Sequence, residues 1–192
     1  MVNNTLDHMG RLDILVNNSG IAVRALPEGL TAAQWDSVVD VNLRAAFLAS
    51  REAYAQMVSV GGGKIINVGS MYSLFGSDWG APYAASKGGL VQLTKSLAVA
   101  WAKDNIQVNA VLPGWFVTYL TAGIPDADLN RYDNINRRIP IGRWGEPSEL
   151  GGAAVFLASS ASDYITGSTL AVDLSLIHIS EPTRPLYISY AV

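Results

Sequence analysis

The run Lys64-Ile65-Ile66-Asn67-Val68-Gly69-Ser70, followed after a glycine-bearing loop by Tyr83-Ala84-Ala85-Ser86-Lys87, decides how this chain is read. The first part is an apolar segment closed by turn residues, the pattern of a buried strand. The second opens a helix, because Leu90, Leu93, Leu97 and Trp101 recur at helical spacing. Tyr83 and Lys87 are four apart and continue that face. A phenol and an ammonium set together against apolar surface suit proton transfer, since the cation favours the phenolate and pulls a pKa of about 10 downward. Taken alone, the pair equally fits an ordinary tyrosine with a solvated lysine one turn on.

Working outward, the polar residues 3–11 read as a helix stopped by Gly10, and Leu12–Val16 as a short buried strand. That strand ends in Asn17-Asn18-Ser19-Gly20, either a plain turn or a ligand loop of the kind found at the carboxyl ends of parallel strands. Thr31 with Gln34 forms a capping box for a helix whose apolar face carries Trp35, Val38, Val39, Ala46 and Ala49. Asn42 falls in the middle of that face. A buried amide needs partners or costs roughly 1–3 kcal/mol, so Asn42 is either a structural amide or a functional one. Gly61-Gly62-Gly63 reads as a flexible turn and not a phosphate loop.

Beyond the helix, Ile106–Leu112 forms another strand, closed by Pro113-Gly114. Residues 115–140, with Trp115, Phe116, Tyr119, Pro125, Asp126, Asp128 and Arg131, lack periodicity and read as a lid or binding loop. Glu146-Pro147 starts a helix whose apolar side includes Leu150, Ala154, Phe156 and Leu157, and Thr169–Val172 is a last strand. Strands alternating with helices predict an α/β fold with a parallel sheet.

Composition excludes several alternatives. With 49% hydrophobic and 15% charged residues the chain can bury a core, which argues against disorder. A net charge of −3 recommends neither a nucleic acid nor an anionic membrane as partner. The absence of cysteine removes thiolate chemistry, and the distant His8 and His178 leave no metal cluster or Ser-His-Asp triad to be expected. We expect a soluble, cytoplasmic protein with a small-molecule substrate and no metal.

Asn17-Asn18-Ser19-Gly20, Asn42, Ser70, Tyr83, Lys87 and the run from Pro113-Gly114 to Thr118 stand in an order and spacing that resembles the short-chain dehydrogenases/reductases. Ser70 precedes Tyr83 by the thirteen residues usual there, and the resemblance covers residues 12–173. It implies a Rossmann-like doubly wound parallel sheet and NAD or NADP as cofactor. It implies Tyr83 as general acid/base, Lys87 lowering the phenol pKa and holding the nicotinamide ribose, and Ser70 holding the substrate oxygen. Asn42 would anchor a water relay from Lys87. Asn17 and Gly20 would lie near the adenosine half of the cofactor, and Pro113, Gly114 and Thr118 near its nicotinamide end. Ser73 and Ser86 are neighbouring hydroxyls that the spacing disfavours. The family commonly forms homotetramers or homodimers.

Two departures accompany the resemblance. Leu12–Val16 matches the fourth strand of the family, so the first three strands and their glycine-rich pyrophosphate turn are expected to be missing, leaving 12–16 as a sheet edge. With them goes the residue that chooses between NAD and NADP. From Leu174 the sequence leaves the family pattern, so residues 1–173 read as a partial dinucleotide-binding and catalytic domain. Residues 174–192 resemble the translation of a sequencing adapter, which gives His178 no role. Arg138-Ile139-Pro140-Ile141-Gly142-Arg143-Trp144-Gly145-Glu146-Pro147 resembles a subgroup of glucose and gluconate-type sugar dehydrogenases and 3-oxoacyl-carrier-protein reductases. Aromatic and polar residues around Trp79 and Trp115–Tyr119 favour a sugar, polyol or sugar acid. The alternatives are a 3-oxoacyl-carrier-protein reductase and an inactive fragment that cannot bind the cofactor. Arg143 could meet a carboxylate, but a structural ion pair or backbone contact is the expected role.

Overall fold

In the computed structural model, which describes residues 2–124, 129–174 and 176, four strands form one parallel sheet. They are β1 (Ile14–Asn17), β2 (Gly63–Val68), β3 (Ile106–Pro113) and β4 (Thr169–Val172), hydrogen-bonded in the order β1-β2-β3-β4. Ile14 pairs with Lys64, Ile65 with Val108, and Val111 with Leu170. The helices are α1 (Val2–Met9), α2 (Ala32–Val39), α3 (Ala45–Ser59), α4 (Ala81–Trp101), α5 (Leu129–Arg137) and α6 (Gly151–Ala158). Pro125, Asp126 and Asp128 of the expected lid, and His178 with the rest of the tail from residue 177, lie outside the described residues.

The period of two along β2 sorts the core into layers. Ile65 points to one face and packs with Ala53 and Met57 of α3, Leu97 and Ala98 of α4, and Val108 of β3. Ile66 points to the other face, with Val111 and with Leu157 of α6. A third cluster at the carboxyl end of the sheet joins Met71, Val91, Leu112, Ile139 and Trp144. Leu174 and Leu176 pack into this cluster too, so the packing continues past the boundary drawn at residue 173.

A ladder of buried amides and hydroxyls joins the elements of the first face. Asn17 Nδ2 donates to Asn67 Oδ1 at 2.8 Å and to Ser50 Oγ at 3.1 Å. Asn67 Nδ2 donates to Thr94 Oγ1 at 2.8 Å, and Thr94 Oγ1 to the Leu90 carbonyl at 2.8 Å. Asn67, Thr94 and Ser50 are fully buried, so each bond replaces a lost water partner.

The structure differs from the sequence pattern at several ends. Leu12 is buried, but pairing begins only at Ile14. β1 is the outer strand of the sheet, and Ile14 and Val16 are 42% and 47% exposed on the face that no described helix covers. The capping box of α2 is present, with Gln34 N donating to Thr31 Oγ1 at 3.2 Å and Thr31 N to Gln34 Oε1 at 2.9 Å. Trp35, placed on the apolar face by periodicity, is 41% exposed. The segment after Glu146 is first a 3-10 turn, Pro147–Leu150, and becomes α-helix at Gly151. In α6 every residue is small or apolar, so sequence could not tell inside from outside. Leu157 faces the sheet, whereas Phe156, one residue round the helix, is 37% exposed. The glycine turn leads directly into β2. Gly62 has φ +142°, and a Cβ there would lie 2.5 Å from the Asn105 carbonyl oxygen, so both backbone freedom and the lack of a side chain are needed.

The ladder yields a stability prediction. Asn67→Ala removes one bond each from the Asn17 amide and the Thr94 hydroxyl and empties a fully buried position, so it should lower the free energy of unfolding by about 2–3 kcal/mol in urea titrations. Ser96→Ala, which removes an exposed hydroxyl from the outer face of α4, should cost less than about 0.5 kcal/mol.

Candidate active site

The carboxyl ends of the four parallel strands release their chains on the same side of the sheet. The residues singled out by sequence therefore converge there. β2 ends at Val68, and Ser70 follows in extended conformation (φ −166°, ψ 165°) as the cap of a 3-10 turn over Met71–Ser73. The Ser70 hydroxyl accepts from Tyr72 N at 3.1 Å, and Ser70 N donates to Ser73 Oγ at 3.2 Å. Tyr83 sits in the first turn of α4, with the Ser70 hydroxyl near enough to its phenol to draw the pKa down. Ser70, Tyr83 and Gly114 line a cavity of about 620 Å³.

Lys87 stands behind Tyr83 and is 3% exposed. Its Nζ donates to the Val68 carbonyl at 2.6 Å and lies 5.8 Å from the centre of the Tyr83 ring. Burial pulls the ammonium pKa down to about 8. For Tyr83 the balance differs from the sequence expectation. Burial raises the phenol pKa, the Ser70 hydrogen bond pulls it back down, and the neighbouring Tyr72 raises it again. The net direction is upward, so desolvation outweighs any pull from Lys87, whose ammonium already bonds a carbonyl.

Asn42 lies in a π-turn, Asp40–Arg44, inserted between α2 and α3. Such turns rotate a residue out of the regular helical register. The side chain is 1% exposed and fully bonded: Oδ1 accepts from Ile21 N at 2.8 Å, and Nδ2 donates to the Ile21 carbonyl and to Ser86 Oγ, each at 3.0 Å. The amide thus staples the loop after Gly20 to α4. Its side chain bonds Ile21 and Ser86 directly. The other two serines are committed elsewhere, Ser86 Oγ donating to the Tyr83 carbonyl at 2.8 Å and Ser73 Oγ capping Ser70.

The remaining expected residues divide. Gly20 lies against the amine: a Cβ there would be 3.4 Å from Lys87 Nζ and 3.6 Å from Asn42 Oδ1. Asn17 is not at the cavity, because its amide is engaged in the sheet ladder. Pro113 pairs with Val172 in the sheet, and Thr118 forms a tight turn in which its N–H donates to Thr121 Oγ1 at 3.0 Å.

The structure adds residues that sequence reading passed over. Tyr72 meets Trp79, Tyr83 and Trp115 edge-on, with ring centres 6.0, 6.2 and 6.3 Å away, and so forms the hub of an aromatic wall. Arg24 lies over Trp79 at 5.6 Å and donates to the Leu120 carbonyl at 3.2 Å. Asn134 and Arg138 also line the cavity. No periodicity marks any of these, because loops from distant parts of the chain bring them together. Arg143 is elsewhere: it grips Glu149 with two 2.8 Å bonds and donates to the Trp144 carbonyl, which holds the Glu149 carboxyl down at about 2. Among the described residues no cluster of His, Asp or Glu could hold a metal ion, and no helix is long and apolar enough to cross a membrane.

Comparison with known proteins agrees with this geometry. The family described as enoyl-(acyl carrier protein) reductase matches residues 1–174. The chain is 45% identical over 174 residues to the 2-dehydro-3-deoxy-D-gluconate 5-dehydrogenase of Dickeya dadantii, covering 90% of this chain and 68% of that one. It is 47% identical over 163 residues to the Bacillus subtilis protein of the same name, covering 85% and 64%. A gluconate 5-dehydrogenase from Burkholderia cenocepacia, crystallised with NADP and tartrate, superposes with a TM-score of 0.89 at 40% identity, covering 93% of this chain and 70% of that one. The chain thus spans about two thirds of the length of the curated relatives it matches. With its parallel sheet, its serine, tyrosine and lysine at the carboxyl ends of the strands, and these identities, the chain belongs to the short-chain dehydrogenase/reductase family.

Proposed function

We propose that this chain is the catalytic portion of an NAD(P)-dependent oxidoreductase that interconverts a hydroxyl and a ketone on a sugar acid. The observation that carries the reading is the placement of Ser70 and Tyr83 together on a cavity wall, with the buried Lys87 amine behind the Tyr83 ring. The relatives named for gluconate and its dehydro-deoxy derivative support the substrate class. The cavity, walled by aromatic rings and polar side chains, suits a polyhydroxylated ligand better than a long acyl chain.

A nicotinamide dinucleotide fits the residues present. Gly20 leaves the approach to Lys87 clear, where a Cβ would press within 3.4 Å of the amine. Gly20, Lys87, Pro113, Gly114 and Thr118 would hold the cofactor, with Asn17 contributing by fixing the end of β1. When bound, the cofactor supplies or accepts the hydride. The protein handles the proton. The raised phenol pKa keeps Tyr83 protonated near neutrality, so Oη can give its proton to an oxygen that gains negative charge as a carbonyl is reduced. In the reverse direction the same atom receives it. The Ser70 hydroxyl, on the same wall, hydrogen-bonds that oxygen and fixes it beside Tyr83. Lys87 is anchored by the Val68 carbonyl, which holds its amine beside the Tyr83 ring, where it would be available to the cofactor. Asn42 positions the Gly20 loop against α4.

A second reading, reduction of a 3-oxoacyl group on a carrier protein, is supported by the description of the matching family. A third, that the chain as it stands does not bind the dinucleotide, is supported by its spanning two thirds of its relatives. Fluorescence titration with NADPH separates the first reading from the third, because saturable binding is expected only in the first. Turnover with 5-ketogluconate and not with an acetoacetyl thioester separates it from the second. We read the working form as a cytoplasmic homotetramer or homodimer, in keeping with the family.

Two predictions follow from the Tyr83 and Lys87 environments. Tyr83→Phe should lower kcat by about 10²–10⁴-fold while leaving the NADPH dissociation constant within about twofold, read by steady-state kinetics and fluorescence. Lys87 has a folded-state pKa of about 8 against an ordinary value of 10.5. The unfolded chain therefore binds more protons between these values, and stability should rise as pH climbs from about 8 toward 10.5. Urea unfolding midpoints across that range should show the rise in the native sequence and lose it in Lys87→Met.

A further inference from the structure

The cavity beside Ser70 and Tyr83 is lined by two cations, Arg24 and Arg138, and by one carboxylate, Asp78. The two arginines differ in what they already do. Arg24 stacks on Trp79 and donates to the Leu120 carbonyl, so it braces the loop it meets. Arg138 has no side-chain hydrogen bond or ion pair among the described residues.

The backbone of Arg138 is nevertheless held firmly. Its N–H donates to the Ile135 carbonyl at 3.0 Å, and Ile139 N donates to the Asn136 carbonyl at 3.1 Å. Ile135 and the buried Ile139 pack in the cluster of Trp144 and Met71. Asn134 and Arg138 stand one helical turn apart, at the end of α5, and both line the cavity. A guanidinium presents a planar fork that matches a carboxylate through two parallel hydrogen bonds, and an amide one turn away can serve an adjacent hydroxyl.

We propose that the Asn134–Arg138 edge of α5 is the carboxylate-binding wall of the cavity, and that Arg138 makes the site select an acid over the neutral polyol of the same chain length. The proposal rests on the sugar-acid reading above. The reacting carbon is presented to Ser70 and Tyr83 while the carboxylate is held across the cavity at Arg138. Asp78 repels a carboxylate placed near it, which favours one orientation of the acid over its reverse.

The test is titration of the 192-residue chain, followed by tryptophan fluorescence with Trp79 and Trp115 as cavity reporters, using D-gluconate and D-glucitol as probes. Arg138→Met should weaken gluconate binding about tenfold or more and leave glucitol binding unchanged. Arg138→Lys should recover part of the gluconate affinity, because the charge remains without the fork. Arg143→Met, altered outside this cavity, should bind gluconate as the native chain does. An unchanged circular-dichroism spectrum and unfolding midpoint show that Arg138→Met is folded. Equal weakening for both probes, or no weakening for gluconate, overturns the role of Arg138 and leaves the sugar-acid reading standing. Failure of the native chain to bind either probe, with NADPH present or absent, overturns the sugar-acid reading and this proposal with it.

Discussion

Two hydrogen bonds from α4 to β2 fix the geometry on which everything else depends. Low on the helix, Thr94 Oγ1 accepts a hydrogen bond from Asn67 Nδ2, and Asn67 Oδ1 in turn accepts one from Asn17 Nδ2. Two turns earlier, Lys87 donates to the Val68 carbonyl. These are polar bonds in a dry layer between apolar side chains, so a slip of α4 along the sheet would leave buried donors and an ammonium without partners. That loss costs several kcal/mol, far more than a shift in apolar contacts. The helix therefore has one register, and Tyr83 one position relative to Ser70.

The same constraint explains why the two titratable groups behave as they do. Lys87 is held in a buried position by a single carbonyl, and desolvation draws its pKa toward 8. Tyr83 is buried beside Tyr72, and its pKa moves up although Ser70 pulls the other way. Burial acts on both but in opposite directions, because it disfavours whichever form carries charge. The two groups are driven apart in acidity, so the phenol keeps its proton at a pH where the ammonium is already losing its own.

Around this fixed centre, the cavity walls are built from loops. The π-turn at Asn42 lets a buried amide grip both the backbone of Ile21 and the hydroxyl of Ser86, so the loop after β1 is tied to the helix that carries Tyr83. Tyr72 joins the rings of Trp79 and Trp115 from loops and of Tyr83 from the first turn of α4. The arginines show how position decides use: Arg143 is closed by Glu149, Arg24 braces a loop, and Arg138 faces the cavity.

Local pattern in the sequence was enough to determine the alternation of strands and helices, the capping of α2 by Thr31 and Gln34, and the shared face of Tyr83 and Lys87. Each follows from periodicity or from contacts within a few residues. The family-like spacing pointed to Ser70, which lines the cavity with Tyr83, while Ser73 and Ser86 bond to the Ser70 N–H and the Tyr83 carbonyl. Only the tertiary structure decided that Asn17 belongs to the sheet and Asn42 to the loop, since an amide in an apolar stripe reads the same whatever it bonds. It alone decided that Phe156 faces outward from a helix apolar on every side. It also decided the direction of the Tyr83 shift, and that Arg143 is closed by Glu149 while Arg138 lines the cavity, because desolvation and packing depend on neighbours far away in the chain.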